Sequence, residues 1–340
     1  MKAIGVMSPG EIKLVDVPKP EINDYECLVR MRACAYCNYT DTAQLTNTHI
    51  DRNYPFPHIQ GHEGAGEIVE VGKKVKNFSA GDRIVYPEGR LDPGCGFAVV
   101  GNAHFSEYCI VRDLKEMEKD GIPIDNPFSS WPRKFPSAIE FTDAAVLSPI
   151  REQLSGVRNF GIGKGSRVLV FGDGPSGFGL AFFSKYVGAA WVGVAGHQDS
   201  RLAHAKEKGG ADAVYNTNFV DPYDDIEPGS LDFVIDAAGS AEIIINASNH
   251  LKAGGKVGVY AGLRKDRRMI DFHEFANGVM LHKLFHPIHH LEVHEEVLDL
   301  ISRNRLNPKD FYSHVMPMEQ FKQAMDMTLS REAFKAVMTI

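Results

Sequence analysis

The run Val168-Leu169-Val170-Phe171-Gly172-Asp173-Gly174-Pro175-Ser176-Gly177 constrains this chain more than any other stretch. A short apolar strand feeds into Gly-x-Gly-x-x-Gly and then into an apolar helical stretch, Phe178 to Val187. In that order the first glycine permits a tight turn, the second lets backbone N–H groups approach an anion, and the third lets the helix pack close to the strand. The positive end of the helix faces the same anion. A dinucleotide pyrophosphate is the ligand such a turn suits, and Gly172, Gly174, Pro175, Ser176 and Gly177 are its candidate contacts. A glycine-rich surface turn is the competing reading, but it would not need a strand on one side and a helix on the other.

A unit of this kind usually carries an acid about 20 residues further on, at the end of its second strand, where it holds the ribose hydroxyls of NAD. With Trp191-Val192-Gly193-Val194-Ala195 as that strand, Gly196-His197-Gln198 stands at its tip and brings no carboxylate. Asp199 comes too late and precedes Ser200-Arg201, the start of the next helix, Arg201 to Gly209. A missing acid with His197, Ser200 and Arg201 close by suits a 2′-phosphate, which a guanidinium can hold through two hydrogen bonds. NADP(H) is therefore expected ahead of NAD(H), with Gly196, His197 and Arg201 on the nucleotide side. The competing reading makes Arg201 a solvated first-turn residue and Asp199 a helix cap. Two later strand ends, Asp236-Ala237-Ala238-Gly239 and Val259-Tyr260-Ala261-Gly262, are expected to line the nicotinamide side through Ala238, Ala261 and Gly262.

A chain of 340 residues with 44% apolar content can bury two cores. Residues 1 to about 150 read as short strands between Gly, Pro and Asp turns, among them Lys2 to Val6, Cys27 to Ala35, Gly64 to Val71, Arg83 to Tyr86 and Ser106 to Val111. From Arg167 strands alternate with helices: Val168 to Phe171, Trp191 to Ala195, Ala213 to Tyr215, Phe233 to Asp236 and Lys256 to Tyr260. Such alternation predicts an α/β domain with a doubly wound parallel sheet covered on both faces. The expected division is a β-rich domain over 1–150, completed by 290–340 through the strand Ala336 to Ile340, and a dinucleotide-binding domain over 151–289. The segment Asp113 to Pro136, rich in charge, Pro and Gly, is expected to be an exposed connection.

The formal net charge is −7, which disfavours nucleic acid and anionic membranes as partners and leaves a small soluble substrate. No start-of-chain segment joins a charged stretch to a long apolar core, and no run approaches roughly 18 apolar residues. Cytoplasm is the expected compartment. Five cysteines (Cys27, Cys34, Cys37, Cys95, Cys109) are odd in number and sparse, as expected of thiols or metal ligands rather than a disulfide frame.

Gly61-His62-Glu63-Gly64-Ala65-Gly66 precedes a strand, and Cys37 lies upstream beside the hydroxyls of Tyr39 and Thr40. A thiolate and an imidazole suit zinc, and a catalytic zinc needs three protein ligands plus an open position. Taken singly, His62 would be read as a hydrogen-bonded loop histidine and Cys37 as a packed thiol.

Together the pieces resemble the zinc-type medium-chain dehydrogenase/reductase family over nearly the whole chain. The resemblance rests on Gly61 to Gly72 (Gly-His-Glu-Gly-Ala-Gly-Glu-Ile-Val-Glu-Val-Gly), Phe78-Ser79-Ala80-Gly81-Asp82-Arg83-Ile84, Phe105-Ser106-Glu107-Tyr108 and the glycine turn at Gly172 to Gly177. It implies a GroES-like, partly open β-barrel catalytic domain interrupted by a Rossmann domain, with the last residues returning to the catalytic part. It also implies that Cys37 and His62 bind catalytic zinc, with Glu63 a ligand or directly behind one.

Four departures from the family pattern qualify the transfer. Cys37-Asn38-Tyr39-Thr40-Asp41 has one residue more than usual between Cys and Asp, so the proton-relay hydroxyl is Thr40 or Tyr39. The position of the family's third ligand holds Ser148, a poor zinc ligand, while Glu152 one helical turn on could present a carboxylate to the same face; Glu152 is the expected ligand, against its reading as an ordinary first-turn acid. Only Cys95 lies where many members have a four-cysteine lobe, so one catalytic zinc and no structural zinc is expected. The fourth departure is the missing nucleotide-side acid.

The resemblance implies a zinc-dependent dehydrogenase acting with NADP(H) or NAD(H) on an alcohol, polyol or sugar hydroxyl and its carbonyl. A zinc-free quinone or enone reductase of the same fold, and a nucleotide-binding protein without turnover, stay open as alternatives. A homodimer or homotetramer is expected by analogy, with Lys256 to Leu263 and the segment after it as a pairing region. His282, His286, His289, His290 and His294 crowd a short stretch, where packing or solvent-facing roles are expected. His49 and His58 are weak candidates for touching substrate.

Overall fold

Apolar runs that end in glycine turns build the parallel sheet of the computed structural model, which describes residues 1–48, 52–263, 269–284 and 289–340, with 127 and 128 described by backbone alone. His49 and His286 lie outside the described residues. Two compact units emerge, one of Met1–Ser148 with Val297–Ile340 and one of Pro149–Glu296.

In the second unit six strands lie side by side in the order Ala213–Asn216, Trp191–Gly196, Arg167–Phe171, Leu231–Asp236, Leu251–Val259 and Met280–Lys283. Every neighbouring pair is parallel. Val168, Leu169, Val170, Val192, Val194, Val234 and Ile235 are all fully buried, as strands covered on both faces require. Each such side chain contributes about 1.5–3 kcal/mol by leaving water. Strand order reverses at Arg167–Phe171, which has Trp191–Gly196 on one side and Leu231–Asp236 on the other. In an open sheet of this kind the carboxyl end at the reversal is where a ligand can enter, and here it carries the glycine turn. The helices Pro175–Tyr186, Asp199–Glu207 and Ala241–Ser248 alternate with these strands.

The sixth strand, Met280–Lys283, is one the sequence reading did not name. It is four residues long with no buried member, so it carries no apolar signature. Its presence also means that Leu251–Val259 is paired on both sides, and the sheet's edge belongs to Met280–Lys283.

In the first unit the ten-residue strand Glu26–Ala35 is the organiser. It pairs antiparallel with Glu63–Val71, Tyr108–Arg112 and Ala336–Thr339. Cys27, Val29 and Met31 pack with Ile68, Ile84, Cys109 and Val111. Nearer its end Cys34 joins a second core with Tyr36, Leu45, Phe105, Phe321 and Met338. The last strand, Ala336–Thr339, sits opposite Ala33 to Ala35, which brings the chain's final residues beside the segment that follows Ala35.

The segment Asp113 to Pro136 is exposed over residues 118–125 as expected, but its two ends differ from expectation. Asp113 is buried, caps the helix Leu114–Lys119 and accepts hydrogen bonds from the N–H groups of Lys76 and Asn77 at 2.8 and 2.9 Å. Arg133–Lys134 pairs with Arg83–Val85, so much of this segment is knitted into the unit. A capping carboxylate and a two-residue strand are too local to show in its composition. Among the described residues no helix is long and apolar enough to cross a membrane, and all five cysteines are free thiols.

Candidate functional site

The sheet register assembles the first candidate site. Glu63 lies opposite Ala35, two residues before Cys37, so the ends of two paired strands deliver thiol, imidazole and carboxylate to one place. Gly61 makes the approach possible with φ of 111°, where a Cβ would stand 2.9 Å from the backbone nitrogen of Phe105. Among the described residues Cys37, His62 and Glu63 form the group whose donor atoms all lie within 4.8 Å of one another. Sulfur, nitrogen and oxygen at that spacing form a donor set that one zinc ion can bridge.

Surrounding groups orient these donors. Asp41, fully buried, accepts the Cys37 N–H at 2.8 Å through Oδ2 and meets His62 Nδ1 at 3.0 Å through Oδ1. The carboxylate thus favours the His62 tautomer protonated at Nδ1, which leaves the Nε2 lone pair for a metal. Gln60 in turn donates to the Asp41 carbonyl at 3.2 Å. Glu63 Oε1 lies 4.0 Å from His62 Nε2, while Oε2 is paired with the buried ammonium of Lys335. Lys335 also donates to the Tyr36 carbonyl at 3.4 Å.

Burial opposes charge on His62, yet Asp41 and then Cys37 hold its pKa well above the ordinary imidazole value. Lys335 follows the same pattern: burial lowers and the charges of Glu63 and Cys37 raise, with a net upward shift. His104, fully buried beside this cluster, goes the other way. Burial pushes it down to about 4, against the hydrogen bond between Nε2 and the Pro87 carbonyl at 2.7 Å. Burial also pushes the Cys27 and Cys109 thiols up to about 12 and Cys34 well above its usual value, which marks them as packing residues.

Other expected residues fall around this core. Thr40 opens the helix Thr40–Thr46 and is half-buried, whereas Tyr39, its N-cap, is 39% exposed. Ser148 belongs to the first unit and Glu152 to the second, both on the helix Leu147–Phe160. His58 is buried and bonded locally, with Nδ1 2.8 Å from the Pro55 carbonyl and Nε2 3.4 Å from Gln60 Oε1. Sequence reading assigned no role to Asp41, His104 or Lys335. A signal for Asp41 was present, an acid four residues after a candidate thiolate; nothing in the sequence ties Lys335 to Glu63.

The second candidate site is mostly backbone. Gly172 has φ of 130°, and a Cβ on Gly177 would fall 1.8 Å from the Gly172 carbonyl oxygen, so helix and turn touch without room for a methyl group. Gly174 is the N-cap of the helix Pro175–Tyr186 and has open space where its Cβ would be, with Pro175 at the helix start. Open backbone at a helix N-terminus is a surface a phosphate can approach.

Beside it stands Asp173, whose Oδ2 accepts the N–H groups of His197 at 2.7 Å and Gln198 at 2.8 Å. The tip of the strand Trp191–Gly196 therefore does have a carboxylate, supplied by the glycine turn and not by the strand itself. The sequence expectation of an acid-free tip is corrected on this point. Gln198, not Asp199, is the N-cap of the next helix, and Asp199 accepts from Asn216 Nδ2 at 2.6 Å. Arg201 is half-buried in the first turn of that helix. His197 Nδ1 lies 3.1 Å from Thr217 Oγ1, and its carbonyl accepts from Asn218 at 2.9 Å.

At the next strand end Asp236 Oδ1 accepts from the N–H of Ala238 at 2.9 Å and of Gly239 at 2.8 Å, and its carbonyl accepts from Tyr260 and Ala261. A Cβ on Gly239 would meet the Gly262 carbonyl at 2.6 Å, so the two loops carrying Ala238, Ala261 and Gly262 lie against each other. In the histidine-rich stretch His289 is exposed and pairs with Glu292, His282 sits edge-on to Phe160, and His290 and His294 are buried. These are the packing and surface roles expected of them.

Comparison with known proteins gives the family. The family model for the alcohol dehydrogenase GroES-like domain matches residues 23–119, and that for zinc-binding dehydrogenases matches residues 177–300. L-threonine 3-dehydrogenase from Pseudoalteromonas translucida (strain TAC 125) is 26% identical over 351 residues, covering 99% of each chain. Among solved structures, a protein described as a zinc-binding dehydrogenase from Sinorhizobium meliloti 1021, bound to NADP, is similar with a TM-score of 0.81 at 23% identity, over 100% of this chain and 99% of that one. Alcohol dehydrogenase TADH from Thermus sp. ATN1 has a TM-score of 0.80 at 21% identity over the full length of both. The two family models together span well over half of the chain, in the order its two units have. With a thiol, imidazole and carboxylate converging in one unit and a strand–glycine turn–helix at the sheet reversal in the other, the chain belongs to the zinc-type medium-chain dehydrogenase/reductase family of oxidoreductases.

Proposed function

We propose that this chain is a zinc-dependent dehydrogenase that moves a hydride between a nicotinamide dinucleotide and an alcohol, polyol or sugar hydroxyl and its carbonyl. The observation that carries the reading is the convergence of Cys37, His62 and Glu63 within 4.8 Å. The threonine and alcohol dehydrogenases it resembles support an alcohol–carbonyl reaction.

Cys37, His62 and Glu63 are the proposed ligands of one zinc ion. Glu152, on the helix Leu147–Phe160, is proposed as a further ligand. When bound, zinc supplies Lewis acidity, which polarises a carbonyl or lowers the pKa of an alcohol. Asp41 holds the His62 ring so that Nε2 faces its partners, and it fixes the backbone at Cys37. Lys335, held charged by Glu63, balances the carboxylate beside Cys37. Thr40, half-buried and next to Asp41 in the chain, is the proposed first carrier of the substrate proton, ahead of the more exposed Tyr39.

On the nucleotide side, the open backbone at Gly174 and the N-terminus of the helix Pro175–Tyr186 are proposed to hold the pyrophosphate, and the loops at Ala238, Ala261 and Gly262 to border the nicotinamide. When bound, the nicotinamide supplies the hydride donor or acceptor. An acid-free strand tip with His197, Ser200 and Arg201 nearby spoke for NADP(H) in the sequence; the Asp173 carboxylate at the same tip speaks against that preference.

Purified protein incubated with alcohols, polyols, sugars and their carbonyls, with each nicotinamide cofactor, tests the reading through absorbance of the reduced cofactor. Turnover with at least one alcohol–carbonyl pair is expected, lost on chelation and restored by zinc. Turnover of quinones or enones alone, unaffected by chelation, would replace this reading with the zinc-free reductase.

A further inference from the structure

We propose that Asp173 takes the part of the missing nucleotide-side acid and makes this protein select NAD(H) over NADP(H). The inference rests on the dinucleotide reading of the glycine turn and goes beyond it by naming the residue that discriminates between the two cofactors.

Three observations carry it. Asp173 extends from the middle of Gly172-Asp173-Gly174 to the end of the neighbouring strand, where its Oδ2 accepts the His197 and Gln198 N–H groups at 2.7 and 2.8 Å. That strand end is the place from which an acid holds the ribose diol in a fold of this type. Second, the residue at the strand end is Gly196, buried, and a Cβ there would lie 2.4 Å from the Asp173 Cβ and 2.8 Å from its Oδ2. An ordinary side chain at 196 and the observed placement of Asp173 exclude each other. The two positions therefore read as an exchange, with the carboxylate moved to the turn and the strand end reduced to glycine to make room. Third, a cavity of about 500 Å³ lined by Phe171, Thr217, Asn218 and Tyr223 adjoins this tip, with Thr217 and Asn218 both bonded to His197. It offers room for the adenosine end of a dinucleotide.

Selection follows from what the carboxylate uses and what it offers. The N–H groups of His197 and Gln198, just ahead of the helix Asp199–Glu207, are the donors a 2′-phosphate would need, and Asp173 already occupies them. Its Oδ1 accepts no hydrogen bond among the described residues and is an acceptor for a ribose hydroxyl. A 2′-phosphate, with a charge of about −1.5 to −2 near neutral pH, would have to approach a carboxylate that has taken its donors. Arg201 alone must then offset both losses.

Titration calorimetry of the full chain with NADH, NADPH, ADP-ribose and 2′-phospho-ADP-ribose tests this without any turnover. NADH and ADP-ribose should bind at least about tenfold tighter than their phosphorylated counterparts. Asp173→Asn should weaken NADH by about tenfold and leave NADPH unchanged or improved, closing the preference. Asp173→Ser should release the two N–H groups and tighten NADPH. Equal or tighter binding of NADPH by the unaltered protein overturns the proposal, as does an Asp173→Asn protein, folded by circular dichroism, that loses both nucleotides alike. Because the comparison within the unaltered protein decides by itself, a variant that fails to fold does not shelter the idea. If neither dinucleotide binds, the reading of the glycine turn falls first and this inference with it.

Discussion

The thiol–imidazole–carboxylate cluster of the first unit and the glycine turn of the second place chemistry by opposite means. In the cluster, side chains do the work: residues 37, 41, 62, 63 and 335 meet only because three strands pair in one register, and buried charges of opposite sign hold them there. In the turn, the absence of side chains does the work, and contiguous backbone forms the surface. The lesson is that a side-chain site breaks when an atom is removed, and a backbone site breaks when an atom is added.

The largest expected effect sharpens the first half of that contrast. Lys335→Met leaves Glu63 buried without its partner, and unfolding in urea should show a loss of about 3–5 kcal/mol. A loss under about 1 kcal/mol would mean the pair is dispensable, and the cluster is not held by charge.

Gly177→Ala probes the other half. The added methyl would stand 1.8 Å from the Gly172 oxygen. Strain of about 3 kcal/mol is expected, measured as a lower unfolding midpoint together with lost dinucleotide binding. Zinc content should not change. Tight nucleotide binding by this variant would contradict the view that close helix–turn packing shapes the site.

A pH effect should be readable at the buried histidine beside the cluster. His104 has its pKa depressed in the folded state, to about 4 against about 6.5 when unfolded. The unfolded chain thus binds the proton first on acidification. The contribution to stability is present above about pH 6.5 and is lost as pH falls toward 4, by on the order of 3 kcal/mol. Unfolding measured across that window should be flatter for His104→Gln than for the unaltered protein; parallel profiles would show that His104 does not titrate in this way.

Smallest of the set is Asp41→Asn, which keeps size but weakens the hold on His62 Nδ1. Zinc affinity should fall by about 10–100-fold in a competition titration with a chelator, with nucleotide affinity unaltered. Undiminished zinc affinity would remove Asp41 from the account.

The same contrast decides how much could be read from the sequence. The glycine turn was legible because its parts are consecutive, and a strand such as Val168-Leu169-Val170 announces itself through its apolar run. His62 and Cys37 were legible as donors because of their local motifs. Lys335 was not, since only the pairing of Ala336–Thr339 with Glu26–Ala35 carries it to Glu63. Asp173 was visible in the motif, but its direction was not: a side chain crossing from one strand end to the next leaves no periodic trace. The edge strand Met280–Lys283 and the Asp113 cap were missed for a related reason, because short elements fixed by tertiary pairing lack a pattern of their own.

Metal analysis of the purified protein beside Cys37→Ser tests the central claim most directly. The account predicts about one zinc per chain in the unaltered protein, and in Cys37→Ser little zinc, turnover reduced at least about 10³-fold and dinucleotide affinity within about twofold. Full activity in a protein that holds no zinc, or in Cys37→Ser, would contradict it.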